Sequence, residues 1–148
     1  MVAVPTAMTG KPRVVGLLVE KELKFLSEAL KAPKKPFVVV LGGAKVSDKL
    51  GAIEALLPKA DAVLVGGAMA YTFLKALGRK VGESRVESDR LTQAKATLEL
   101  AAKLRAELHL PTDHICSTIF AQHGGNVEIF ENDIRDGFMG LDIGPKTQ

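Results

Sequence analysis

PFVVVLGGAKVSDKLGA, residues Pro36–Ala52, is the stretch that decides the fold. It opens with Phe37–Leu41, five apolar residues without a polar break, three of them valines. Such a run predicts a strand buried on both faces, as in a parallel sheet. Gly42 and Gly43 follow at once, where the chain must turn and backbone can approach a neighbour closely. A helix pattern then begins. Ser47 is placed to cap it, Asp48 suits its first turn, and Leu50, Ile53 and Leu57 share one apolar face. Strand, glycine turn and helix N-terminus together make a unit suited to phosphate. Lys45 and Lys49 flank the expected helix start, the end where the helix dipole disfavours a cation by about 0.3–1 kcal/mol. Two lysines reaching into water would feel little of this, because the dipole is screened there. Directly after a buried strand and a Gly-Gly turn, the pair points instead to an anion held between them.

Asp61–Leu77 repeats the theme. Ala62–Val65 predicts a second short strand, Gly66 and Gly67 turn it, and Met69, Phe73, Leu74 and Leu77 give a helical face ending at Gly78. The two units lie about one βαβ period apart, so their strands should run parallel with a right-handed crossover. Both glycine turns then emerge at the carboxyl edge of the sheet, where open α/β sheets bind ligands.

Outward from this centre, residues 1–13 show no period and carry Pro5, Gly10 and Pro12, which predicts a poorly ordered lead. Val14–Leu30 predicts an amphipathic helix, with Val19, Leu23, Leu26 and Leu30 at helical spacing and a Glu20–Lys24 pair. Pro33 and Pro36 stop it. Residues 14–35 thus form a helix and linker, and residues 36–148 an α/β domain. Beyond Gly78, Arg79–Ser88 reads as a polar connection and Asp89–Leu108 as a helix. Leu110–Phe120 reads as a third strand, Val127–Ile134 as a strand of a peripheral ribbon, and Met139–Ile143 as a short final strand.

Composition narrows the function. The 148 residues are 47% hydrophobic and 25% charged, which is globular rather than disordered, and the net charge is a mild +3. No basic stripe interleaved with aromatics exists, so no nucleic-acid partner is expected. No apolar run is long enough for a membrane span, and the N-terminus lacks the pattern of a signal peptide. With its single cysteine, Cys116, the chain fits a reducing compartment, and a cytoplasmic location is expected. His109, His114 and His123 surround Cys116, but zinc sites need tighter ligand pairs and a fourth partner, so no metal ligand is assigned. Neither G-x-G-x-x-G nor the P-loop pattern occurs, and Ser117 and Thr118 lie in no nucleophile elbow.

Four blocks, in order, resemble phosphoglycerate kinase. GLLVEKELKFLSEAL at 16–30 is similar to the helix joining that family's two domains, and LGGAKVSDKL at 41–50 to its nucleotide-side lysine motif. VGGAMAYTFLKALG at 65–78 resembles its glycine-rich Met-Ala-Tyr-Thr-Phe segment, with Ala68 in place of a third glycine. GFMGLDIGPKT at 137–147 resembles its Met-Gly-Leu-Asp-Ile-Gly-Pro segment, with Phe138 at the aromatic position. The likeness runs from Val14 onward and does not include residues 1–13.

The resemblance implies a hinge-side helix followed by part of a three-layer, Rossmann-like α/β domain with an incomplete parallel sheet. It implies transfer of a phosphoryl group between 1,3-bisphosphoglycerate and ADP in glycolysis. Lys45 and Lys49 would face the phosphates as catalytic groups. Gly43, Ala44, Gly66, Gly67, Gly140 and Leu141 would line the adenine and ribose pocket of ADP or ATP. Mg²⁺ would arrive with the nucleotide, since the family's metal-binding Asp and its basic glycerate pocket have no counterpart here. The glycerate substrates would therefore be met only in a full-length, monomeric enzyme, and this chain alone should not turn over. The alternative is a gene fragment or a non-catalytic α/β module, whose open sheet edge favours self-association or a partner.

Overall fold

The computed structural model describes residues 6–148, so Met1–Pro5 of the expected irregular lead lie outside the described residues. The chain divides into two compact units, residues 1–34 and 35–148. The first holds helix α1, Leu17–Lys31, which starts three residues later than its apolar spacing suggests. Its first backbone bond runs from Glu20 N–H to the carbonyl of Gly16. Leu17, Leu18, Leu23, Phe25 and Leu26 on this helix are all exposed.

The second unit is mixed α/β. Strands β1 (Val38–Leu41), β2 (Ala62–Val65) and β3 (Glu107–His109) form a parallel sheet in the order β1-β2-β3. Val38 pairs with Ala62 and Leu41 with Val65. Helices α2 (Leu50–Leu56), α3 (Met69–Ala76) and α4 (Leu91–Leu104) make the connections. A 3₁₀ turn, Ser88–Arg90, leads into α4. One core gathers Val46, Leu50, Ile53 and Leu57 with Val63, Val65, Met69, Phe73, Ala94 and Ala101. Val39 and Leu41 pack against it, whereas Val38, Val40 and Leu64 on the opposite sheet face are exposed. The expectation of burial on both faces is therefore corrected. The apolar run suits a two-sided strand, but the second unit covers only one side of the sheet.

The third strand also falls elsewhere than its sequence suggests. α4 ends at Leu104, where Arg105 adopts a left-handed conformation (φ 54°) and reverses the chain. Leu108 consequently lies in β3 rather than on the helix. Pro111 has no N–H to give a ladder, and beyond it the chain joins a different sheet. That sheet is antiparallel, in the order β5-β4-β6, with β4 Asp113–Ser117, β5 Val127–Glu131 and β6 Met139–Ile143. Between it and α3 lies a second core of Tyr71, Leu74, Val81, Cys116, Ile134 and Phe138. Residues 69–74 of α3 are all buried, because the helix is packed on both sides.

The connection over residues 79–88 is pinned rather than loose. Ile134 N–H donates to the carbonyl of Lys80, Glu83 N–H to that of Phe138, and Gly140 N–H to Ser84 Oγ (2.9 Å). The end of the chain is tied down by buried Asp113. Its carboxylate accepts from the N–H groups of Lys146 and Thr147, both at 2.9 Å, and from Thr147 Oγ1. Gly144 leaves the room for that carboxylate, which a side chain there would overlap.

At the carboxyl edge of the parallel sheet the two glycine turns touch. Gly66 N–H donates to the carbonyl of Leu41 (2.8 Å), and Met69 N–H to that of Gly43 (2.9 Å). Gly67 has a left-handed φ of 66°, and a Cβ placed on it would lie 2.8 Å from the Gly43 nitrogen. Only glycine meets both conditions.

Gly67→Ala should therefore destabilise the domain by more than the roughly 1–2 kcal/mol that a left-handed backbone costs an alanine, because the Gly43 contact must also open. Urea unfolding followed by circular dichroism measures the loss. A second prediction concerns Asp113. Burial pushes its carboxyl up, but the bonds from Thr147 and Lys146 and the neighbouring His114 outweigh this and hold it below the ordinary 3.8. A depressed carboxyl stabilises the fold above its ordinary value, and that contribution disappears as pH falls through the lower folded value. The amide resonances of Lys146 and Thr147 should thus keep their folded positions at pH 5 and shift only below about pH 3.8. Asp113→Asn should shift them already at neutral pH.

Candidate functional site

The touching glycine turns form one wall of a cavity of about 500 Å³. Gly43, Ala44, Gly67 and Ala68 supply that wall, and Met139, Gly140 and Leu141 of β6 supply another. Glu83 and Arg85 from the pinned connection and Phe120 after β4 complete the lining. Much of the surface is backbone and small apolar side chain, which lets a flat ring lie close and meet exposed peptide edges. Gly140 owes its place to packing behind the wall. A side chain on it would overlap the buried ring of Tyr71.

Of the residues singled out by sequence, Gly43, Ala44, Gly67, Gly140 and Leu141 come together around this cavity. Gly66 does not line it. It sits beside them and borders a second hollow of about 420 Å³, next to Val40, Leu64 and Leu110. Lys45 and Lys49 are also absent from the lining. Lys45 follows Ala44 and is exposed, and Lys49 is half-buried. Ala68, the one departure in the glycine turn, has φ −62° and starts α3 without needing glycine, and its methyl packs toward the second core.

The helix after the lysines differs from expectation. α2 begins at Leu50, its N-cap is Lys49, and no side chain caps it. Ser47 does not cap the helix because its groups point at Glu87, which lies 40 residues further on. Ser47 N–H donates to Glu87 Oε2 at 2.9 Å, and Ser47 Oγ to Oε1 at 2.8 Å. The Ser47 amide, despite partial desolvation, holds the Glu87 carboxyl below its ordinary value, helped by Ser47 Oγ, the Val46 amide and the Lys45 charge. Part of the negative charge that the lysine pair calls for is thus internal to the chain.

Glu83, Arg85, Glu87 and Phe120 were not legible as site residues. They lie in segments whose sequence shows only polarity or an apolar end; packing alone brings Glu83, Arg85 and Phe120 to the cavity and Glu87 to Ser47. The histidines do not converge. His109 is exposed and contacts Glu107 at 3.2 Å, and His123 is exposed. His114 is buried against Tyr71, with ring centroids 5.4 Å apart. Burial lowers the His114 pKa, with Asp113 opposing, and burial raises the Cys116 thiol to about 11. Among the described residues no group of three His, Cys, Asp or Glu side chains could hold a metal ion.

Comparison with known proteins matches this arrangement to one family. The family model described as phosphoglycerate kinase matches residues 1–148, which corrects the expectation that the likeness begins at Val14: it extends over residues 1–13 as well. The phosphoglycerate kinase of Lactobacillus gasseri is 51% identical over 148 residues, which is 99% of this chain and 36% of that protein. That of Thermosipho africanus is 55% identical over 140 residues, 92% of this chain and 34% of the relative. Among solved structures, phosphoglycerate kinase from Coxiella burnetii superposes with a TM-score of 0.83 at 38% identity, covering 89% of this chain and 34% of that one. The chain spans about a third of the length of the relatives it matches. With a family match along its whole length and the fold of a solved member, this chain belongs to the phosphoglycerate kinase family.

Proposed function

We propose that this chain is the ADP/ATP-binding part of a phosphoglycerate kinase, which transfers a phosphoryl group between 1,3-bisphosphoglycerate and ADP in glycolysis. The observation that carries it is the cavity where both glycine turns meet β6. Residues 14–35 would then be the hinge-side helix and linker, and residues 36–148 the incomplete Rossmann-like nucleotide domain. A glycolytic role implies the cytoplasm, with neither nucleic acid nor membrane as partner.

The adenine would lie between the glycine wall and Leu141, where apolar contact and peptide edges fix its plane. A bound nucleotide fits the residues present, because the cavity is roomy, apolar and bounded by glycine backbone. The phosphates would leave the cavity past Ala44, toward Lys45 and Lys49. These side chains would have to swing in, and their charge would offset that spread over the transferring oxygens. Gly66 would shape the turn rather than touch the base. Mg²⁺, carried by the nucleotide, would neutralise phosphate charge, and among the described residues no group of three His, Cys, Asp or Glu side chains fits it as a protein ligand. The bisphosphoglycerate site would belong to a longer chain, in which the enzyme would work as a monomer.

The exposed Val38, Val40 and Leu64 face favours a second reading, a non-catalytic module that associates through its open sheet. Sedimentation shows self-association directly, and nucleotide titration separates the readings.

In backbone NMR, ADP should perturb Gly43–Lys49, Gly67–Met69 and Gly140–Leu141. Shifts confined elsewhere would remove the basis for the site. Lys49→Ala should weaken ADP about tenfold, the scale of one charge-assisted hydrogen bond, while leaving thermal stability unchanged or slightly raised. A clear loss of stability in the free protein would make Lys49 structural. The 148-residue chain should show no ATP formation from 1,3-bisphosphoglycerate and ADP above the buffer blank. Phosphoryl transfer depends on holding both substrates, and a misplacement of about 1 Å can already cost on the order of 10²-fold. Turnover that vanishes in a Lys45→Ala, Lys49→Ala double variant would show that this chain supplies a complete site.

A further inference from the structure

We propose that Glu87 is a positioning residue that sets the loop bearing Lys45 and Lys49, and thereby governs affinity for the phosphate end of the nucleotide. This deepens the nucleotide-site assignment above and rests on it.

Glu87 joins the two halves of the site. Its own N–H donates to Thr72 Oγ1 at 3.1 Å, and Thr72 is fully enclosed on α3, the helix that follows the second glycine turn. Its carboxylate takes both donors of Ser47, in the loop that follows the first glycine turn. A two-oxygen acceptor gripping an N–H and an O–H of the same residue fixes that residue's orientation as well as its position. The residue so fixed lies between Lys45 and Lys49 in the loop, so it holds the backbone from which both side chains project. The loop is pinned from its other side by Val46, whose side chain is wholly buried. Among the described residues, no other hydrogen bond joins Ser47 to a distant element. The neighbouring Lys45 charge is drawn toward the same carboxylate.

Two roles for this carboxylate have opposite consequences. A positioning group, once removed, lets the loop wander and weakens phosphate binding. A competing anion, once removed, frees Lys45 and strengthens it. Glu87→Gln removes the charge and one acceptor, whereas Glu87→Asp keeps the charge but is too short by one methylene to hold both donors. Positioning therefore predicts weaker binding in both variants, and competition predicts tighter binding in the first alone.

The test is calorimetric titration of the 148-residue chain with ADP and, separately, with adenosine, which has no phosphates. Both Glu87 variants should lose about tenfold in ADP affinity, the worth of one hydrogen bond to a charged group, with adenosine affinity within about twofold. Backbone NMR should show altered shifts over 44–49. Ser47→Ala, which keeps the backbone bond, should lose about threefold for ADP. It carries the test if the Glu87 variants fail to fold. Unchanged or tighter ADP binding overturns the proposal. So does a parallel loss of adenosine and ADP, which would mark Glu87 as a general prop of the domain. If the unmodified chain binds neither ligand, the nucleotide assignment falls and this proposal with it. If the unmodified chain binds both but the ADP-to-adenosine ratio is indifferent to Glu87, only this proposal falls.

Discussion

The close approach of Gly67 to Gly43 is the constraint on which the site depends. Two parallel strands end side by side, and each must turn immediately into a loop or helix. Two ordinary turns would collide there, because a Cβ on Gly67 has no space against the Gly43 backbone. With glycine at that point, the second turn settles onto the first, and Met69 N–H, which starts α3, reaches the Gly43 carbonyl. The start of α3 is thereby fixed by the end of β1, three elements earlier. A shared backbone surface results where side chains would otherwise stand, and the cavity opens onto it.

From that contact the rest of the second unit follows by packing. α3 enters at a set position and is clasped between the helical core of the parallel sheet and the antiparallel sheet. Tyr71 fills the space behind Gly140 and so carries the position of α3 through to β6, on the far wall of the cavity. Ser84 Oγ and the Phe138 carbonyl hold the 79–88 connection against the same strand. The exposed Val38, Val40 and Leu64 mark where this tightly clasped arrangement stops. Their hydrophobicity is that of an interior strand, although one face of the sheet is open.

The two lysines show how local reasoning about charge can be right in kind and incomplete in detail. Cations at a helix start do call for a nearby anion, and one is present in the chain itself as Glu87. Ser47 was legible as a hydrogen-bonding residue at a helix start, but its partner is that carboxylate rather than the helix. A serine next to a helix satisfies the same preference either way. Which acceptor or donor it meets depends on a segment 40 residues distant, and no local pattern encodes that distance.

By itself the sequence determined the elements with strong local signatures. The β-branched runs Phe37–Leu41 and Ala62–Val65 favour strands, and the glycine pairs that follow them favour turns. The apolar spacing at Leu50, Ile53 and Leu57 and at Met69 and Phe73 set which helix faces pack inward. These preferences arise from sterics and hydrophobicity within a few residues, and they sufficed to place both turns at one sheet edge. Tertiary structure decided what depends on partners far along the chain. It ended α4 at a left-handed Arg105, gave β3 to one sheet and β4 to another across Pro111, and left one sheet face open. It also brought Glu83, Arg85 and Phe120 to the cavity and drew Ser47 to Glu87. These outcomes are settled by which surfaces remain to be covered and which hydrogen bonds remain to be made once the strong elements have paired, and that competition is global.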